Sequence, residues 1–399
     1  MKTWKDTMST RERIRAVVQR EPVDHLPLCF CAICHGIIRF LDERLPDKIK
    51  QAEFLMNLGV DTGISITPPT HSLKGIEIKT WREDPPDQRY PVLHKEYRTP
   101  RGTLRQVVRK TEDYGSQVNL LSDHNVPASR SMTYLVESAE NLDALEYLLR
   151  MPDGEELRGY REEAKVLKAF CDAHGIFLSG YLAGVGDPLI WLSGVERSVT
   201  AALEDPGFME RYVAIVEKWN RARLALMLEA GADIIVRRGW YESTDFWSPT
   251  LFRRFLHAPL KGDIELAHQA GALFTYVMNS GAMPLLDQFN ELGFDIYSNI
   301  DPATPGTDLD AIKKKVGAKI TLCGGVNNNL ILELGTEAQV RRAVQEAVEK
   351  LGPEGFILAP GDSILATSEN AVRNFYALIA AWKQKDASVL PHSADGGRQ

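Results

Sequence analysis

Eight short apolar stretches recur along this chain, separated by longer segments whose apolar residues repeat at helical spacing. They are "LPLCFCA", "VDTGISI", "GIFLSGYL", "ADIIVRR", "LFTYVMN", "DIYSNI", "KITLCGG" and "GFILAPG". Each is apolar on both faces, the pattern of parallel strands covered by helices. Segments such as "DPGFMERYVAIVEKWNRARLALMLEAG" and "GTEAQVRRAVQEAVEKLG" read as the intervening helices, several ending in the glycine that favours a left-handed cap. The first helix is announced by "STRE", where Ser9 or Thr10 can cap and Glu12 lies in the first turn. Eight such units predict an α/β fold, a single (β/α)8 TIM-type barrel over residues 1–384.

One segment breaks the alternation. "GIEIKTWRE" and "PVLHKEYRTPRGTLRQVVRKTE" read as an antiparallel hairpin inserted after the second strand, at about residues 74–112, with "TPRG" as its turn. The insert is expected to fold over the barrel mouth. The last residues, 385–399, have the turn-rich composition of a flexible tail.

In such a barrel the chemistry lies at the carboxyl ends of the strands. The fourth strand ends in "RRGWYESTDFWSP", the richest stretch in the chain. Adjacent residues on a strand point to opposite faces, so one of Arg237 and Arg238 should face inward. There a guanidinium needs a carboxylate or an anionic ligand, and ion pairing to Glu242 or Asp245 and clamping of a substrate are both open. Trp240, Tyr241, Phe246 and Trp247 can form an apolar wall or simply pack the loop. The other strand ends offer His35, His71, Asp187, Tyr276, Asn279, Asn299, Asp301, Asn327 and Asp362. His35 and His71 are candidates for acid/base work, or hydrogen-bonded loop residues. His257 and His268, on a helix, read as structural.

"CAICHG" contains the C-x-x-C-H string of a c-type haem attachment site at Cys31, Cys34 and His35. The N-terminal residues are charged throughout with no apolar core of signal-peptide length, so the expectation is a cytoplasmic protein with its five cysteines reduced. On a strand Cys29 and Cys31 share a face, and Cys34 need not join them. Core cysteines are therefore expected, not haem or a redox pair. There is no H-E-x-x-H, no paired C-x-x-C and no phosphate-binding glycine loop, so no metal site is expected. A formal charge of −7 argues against a nucleic-acid or anionic-membrane partner.

Taken together, "STRERIRAVVQREPVDHLPL", "GADIIVRRGWYESTDFWSPTLFRRFLHAPLKGDIELAHQAGALF", "PLLDQFNELGFDIYSNIDP" and "GFILAPGDSILATSENAVRNFYALI" resemble the uroporphyrinogen decarboxylase superfamily. The resemblance runs from about Ser9 to Lys383 and implies one (β/α) barrel. Members include tetrapyrrole decarboxylases and zinc-dependent methyltransferases that work with corrinoid proteins, and a homodimer is common. The decarboxylases' arginine motif falls on "CAICHG", which has no arginine. Their aspartate falls near Pro68, their tyrosine near Gly194 and their histidine at Asp362. The methyltransferases' H-x-C zinc motif falls on Tyr276 and Met278, and their later cysteine at Asp362. The resemblance thus implies a divergent member with a different polar set.

The leading expectation is a methyltransferase acting on a small methylated, anionic substrate, with a corrinoid protein as candidate partner. Glu242, Asp245, Tyr276, Asp362 and His35 are its catalytic candidates. Arg237, Arg238, Trp240, Tyr241, Asn279, Asp301 and Asn327 are its substrate-binding candidates. A decarboxylase of a carboxylated or tetrapyrrole-type substrate is the alternative, and a non-catalytic barrel holding a corrinoid or tetrapyrrole the third.

Overall fold

The structure is a computed structural model describing residues 6–112 and 130–389, with side chains up to residue 384. Its strands are β1 (Gly63–Ile66), β2 (Glu77–Glu83), β3 (Val92–Thr99), β4 (Gly102–Arg109), β5 (Ser131–Thr133), β6 (Phe177–Ala183), β7 (Ile234–Arg238), β8 (Leu273–Val277), β9 (Ile296–Ile300), β10 (Thr321–Val326) and β11 (Phe356–Pro360). Seven of them form one parallel sheet in the order β1-β6-β7-β8-β9-β10-β11, with helices between successive strands. Parallel strands need such crossovers, and the sequence supplies them.

The expected first strand, "LPLCFCA", is not a ladder. Leu28 bridges Leu358 of β11, and Cys29 bridges Asp61 just before β1. Both edges of the seven-stranded sheet therefore meet the same two residues. After Cys29 the chain leaves the strand direction. Ala32 takes a left-handed φ of 68°, and residues 32–34 pass across the inner face of the sheet. The Ser179 hydroxyl donates to the Ala32 carbonyl, Thr275 Oγ1 to that of Ile33 (3.0 Å) and Tyr181 Oη to that of Cys34 (2.8 Å). These three carbonyls have no sheet partner, so side chains of β6 and β8 satisfy them. Glycines permit the close approach. A Cβ on Gly36 would lie 2.1 Å from the Phe30 carbonyl oxygen, and one on Gly63 2.5 Å from that of Phe177.

Alternation along each strand sorts the core. Phe177, Ile234, Leu273, Ile296, Cys323 and Ile357 pack together on the inner face with Ile14 and Val17. These last two belong to the first helix, Thr10–Gln19, which starts at Ser9 with a capping box to Glu12. Their strand neighbours Ile235, Phe274, Tyr297, Leu322 and Phe356 face the helix layer instead. Among the described residues no helix is long and apolar enough to cross a membrane.

The insert is a second, antiparallel sheet in the order β2-β3-β4-β5. Its β3–β4 turn falls at Pro100–Arg101, between the paired Thr99 and Gly102, as the sequence indicates. A fourth strand, β5, joins beyond the expected limit of 112, and residues 113–129 lie outside the described residues. The last helix runs Glu369–Val389, past the expected boundary at 384, and residues 390–399 lie outside the described residues.

Candidate active site

The arginine pair divides as strand alternation requires, and it is Arg237 that faces the helices. Its guanidinium is fully buried, 3.0 Å from Glu242 Oε1 and 2.7 Å from Asp263 Oδ2 on the helix His257–Gln269. Tyr276, its ladder partner on β8, donates from Oη to Glu242 Oε2 at 2.6 Å. The backbone N–H of Gly186 donates to Glu242 Oε1. Burial works against the Arg237 charge, but Glu242 and Asp263 hold its pKa above the usual value. Burial pushes the Asp263 carboxyl up to about 6 despite Arg237, and burial followed by Glu242 raises the Tyr276 phenol. Glu242, Tyr276 and Arg237 thus form a closed network between sheet and helices. This places them away from the inner face where they were expected to meet a substrate.

Arg238 takes the inward position. Its guanidinium carbon lies 4.6 Å from the ring centre of Trp240 and 5.1 Å from that of Trp191, and its Nε is 3.4 Å from Asp187 Oδ2. A guanidinium between two indoles gains cation–π attraction. Asp187 Oδ1 accepts the backbone N–H of Tyr241, which fixes the loop after β7. Tyr241 packs against Phe246 (5.1 Å) and Trp191 (6.3 Å), and the Trp247 indole donates to the Tyr241 carbonyl. His35, at the end of the segment crossing the sheet, meets Trp240 edge-on at 4.8 Å and Tyr181 at 5.4 Å.

A carboxylate cluster lies farther round the strand ends. Asn279 Nδ2 donates to Asp362 Oδ2 (2.9 Å) and to the Gly361 carbonyl (3.0 Å). Two strands separate β8 from β11, so this bond reaches across the carboxyl end of the sheet. Asn327 Nδ2 donates to Asp301 Oδ2 at 2.7 Å. Burial raises the Asp362 pKa, and Asp301 adds to the rise. Ser363 Oγ accepts the Ile37 N–H at 3.1 Å, which ties this cluster to the segment carrying His35. Asp245 stands apart at the exposed rim, accepting hydrogen bonds from Ser280 and Ser243.

Two cations with no sequence motif of their own lie near His71. Arg223, on the helix Pro206–Glu229, and Lys95, on the insert strand β3, both act on His71, whose pKa burial and these two cations push down to about 4. Nothing local in the sequence marks these three as a group, because they come from three separate elements.

Two clusters among the described residues are close enough to share a metal ion, and neither is at the strand ends. Asp6, Asp24 and His25 lie around Arg13, whose guanidinium pairs with both carboxylates. Cys29, Cys34 and Cys323 converge in the apolar inner core, with Sγ separations of 3.2 Å from Cys29 to Cys34 and 3.9 Å to Cys323. This corrects the face assignment made from alternation. Once the chain turns inward at Ala32, Cys34 joins Cys29, and Cys31 points to Thr62 instead (4.0 Å). Burial raises the Cys29 thiol, which keeps it protonated. The positions of a family zinc motif do not fit zinc: Tyr276 is spent on Glu242, and Met278 is a fully buried thioether. His268 bonds Asp295 at 2.8 Å and His257 lies 3.9 Å from Glu291, both on the helical scaffold.

A parallel α/β sheet with helices outside, an N-terminal segment crossing its inner face and a polar site at the carboxyl ends of its strands defines the class. The chain belongs to the uroporphyrinogen decarboxylase (URO-D) family, whose model matches residues 110–384. Among solved structures it is similar to a methyltransferase from Methanosarcina mazei, with a TM-score of 0.61 and 20% identity, covering 95% of this chain and 99% of that one. It also aligns with a B12-independent methionine synthase from Shewanella sp. W3-18-1 in complex with selenomethionine, at a TM-score of 0.47 and 12% identity, over 92% and 97% of the two chains. At these identities the first likeness shows the fold alone, and the second is too loose to argue from. No curated protein sequence matches the chain.

Proposed function

We propose that this URO-D-family protein is a methyltransferase acting on a small methylated anion, with a corrinoid protein as its partner. The observation that carries the reading is Arg238, an inward-facing guanidinium held between Trp191 and Trp240 at the strand ends. It would hold the substrate's anionic group, with the indoles and Tyr241 as a wall that orients a compact molecule. Removing a methyl group from oxygen or nitrogen leaves that atom needing a proton. Asp362, whose pKa burial raises, would carry it, and Asn279 fixes the carboxyl. His35 borders the same space beside Trp240. Glu242 and Tyr276 act as positioning residues, since their network sets the loop that bears Trp240. A corrinoid on the partner would supply the methyl-accepting nucleophile. Leu330, Leu334 and Leu365, 56%, 71% and 48% exposed in the loops after β10 and β11, offer that partner an apolar ledge. Glu333 joins the two loops by accepting the N–H groups of Leu365 and Ala366.

Incubating the protein with a panel of methylated carboxylates and chemically reduced cobalamin tests the reading, with methylcobalamin absorbance as readout. Methyl transfer by the native protein that is lost in Arg238→Met supports it. A second reading, decarboxylation, is favoured by the same Asp362, whose raised pKa would suit protonating a carbanion. Carbon dioxide release with no methylcobalamin formed would select it.

A further inference from the structure

We infer that Cys29, Cys34 and Cys323 together hold one thiophilic d10 metal ion, zinc or copper(I), which fastens the segment crossing the inner face of the sheet to β10.

The three Sγ atoms lie within 4.8 Å of one another, and each residue is at most 1% exposed. Around a tetrahedral ion with metal–sulfur bonds of about 2.3 Å, the ligand sulfurs stand about 3.8 Å apart. Cys29 and Cys323 are already 3.9 Å apart, so only the 3.2 Å separation of Cys29 from Cys34 has to open. Four residues separate Cys29 from Cys34, inside the spacing typical of paired metal-binding cysteines. Cys323 comes 294 residues after Cys29, which is why no sequence motif announces the set. Neither a carboxylate nor an imidazole joins these sulfurs in the group, so the donor set suits a soft ion and not magnesium or calcium.

The backbone is bent on both sides to bring the thiols together. Three described residues other than glycine have a left-handed φ: Arg20, Ala32 and Asn299. Arg20 closes the first helix, and the other two flank the thiols. Ala32 turns the chain so that Cys34 meets Cys29. Asn299, at φ 64°, lies in a bulge of β9: Leu322 pairs with Tyr297 but Gly324 with Ile300, so Ser298 and Asn299 together oppose Cys323. The Ser298 hydroxyl bears on Cys323 and donates to Asn299 Oδ1 at 2.9 Å. It offers zinc an oxygen as fourth ligand, whereas three sulfurs complete a copper(I) site. Asn299 is fully buried, and its Nδ2 has no hydrogen-bond partner among the described residues. Three thiolates leave either ion with net negative charge, which such a donor would stabilise. Binding releases the thiol protons that burial retains, and its free energy adds to that of folding.

Metal analysis and X-ray absorption of the full chain test this. The protein is purified under reductant from cultures supplemented with zinc, with copper, or with cobalt(II) as a coloured substitute for zinc. About one equivalent of metal is expected, with three sulfurs at about 2.3 Å. A fourth, oxygen neighbour identifies zinc, and its absence copper(I). The cobalt form should show thiolate-to-metal charge-transfer absorbance. Cys323→Ala should lower the metal content at least about tenfold. Cys31→Ala and Cys171→Ala should leave it unchanged, since those thiols point to Thr62 and to the Phe177 carbonyl. Should Cys323→Ala fail to fold, the sulfur count in the native protein decides alone. Metal-free protein from all three cultures overturns the inference. So does metal held through oxygen and nitrogen only, as Asp6, Asp24 and His25 would hold it, or binding that survives in folded Cys323→Ala.

Discussion

Arg237 and Arg238 are neighbours in sequence, yet their removal should have opposite consequences. Arg237→Met strands Glu242 and Asp263 in a dry interface and is expected to destabilise the fold by about 3–5 kcal/mol, measured by denaturant unfolding. Arg238→Met removes a partly exposed guanidinium and should change stability little while lowering affinity for an anionic substrate at least about tenfold, measured by titration. The sequence showed that one of the pair must face inward. It could not show which, because that depends on the register of β7, set by inner-face packing of Ile234. His71 carries a pH dependence. Its folded pKa of about 4 lies below its unfolded value of about 6.5, so between these limits the unfolded chain binds a proton that the folded one does not. Stability of the ligand-free protein should therefore fall as pH drops from about 6.5 to 4. His71→Asn should flatten that limb of a melting-temperature-against-pH curve.

Among the elements, the segment Cys31–Gly36 departs most from its sequence. The apolar run Leu26–Ala32 that leads into it reads as a strand, and only the hydrogen bonds from Ser179, Thr275 and Tyr181, encoded far along the chain, show why the chain leaves that direction. Thr275→Val removes a donor and keeps the shape, leaving the buried Ile33 carbonyl without a partner. A loss of about 1–3 kcal/mol is expected in denaturant unfolding. The other seven strands were legible because continuous apolar runs between helices admit few alternatives. The insert's turn was legible from "TPRG", and its delivery of Lys95 to the same space as Arg223 and His71 was not, since tertiary packing alone joins them. Cys34→Ser should cost mainly stability, since the thiol lies with Cys29 in the apolar inner core and a hydroxyl there is poorly satisfied.

At the level of the whole molecule, the sheet sorts charge into two environments. Outward-facing Arg237 and Tyr276 are held within a sealed network with Glu242, and inward-facing Arg238 lies beside Trp240 and Asp187 at the carboxyl end of β7. The function proposed here depends on that division. It explains why a chain lacking the arginine motif and the zinc motif of its relatives can still gather a polar site where the fold provides one. A bromide soak of crystals of the protein, read by anomalous scattering, tests this most directly. A bromide is expected in contact with the Arg238 guanidinium beside Trp240, and none near Arg237. Bromide confined to the outer surface, with the space between Trp191 and Trp240 empty of it, would contradict the account.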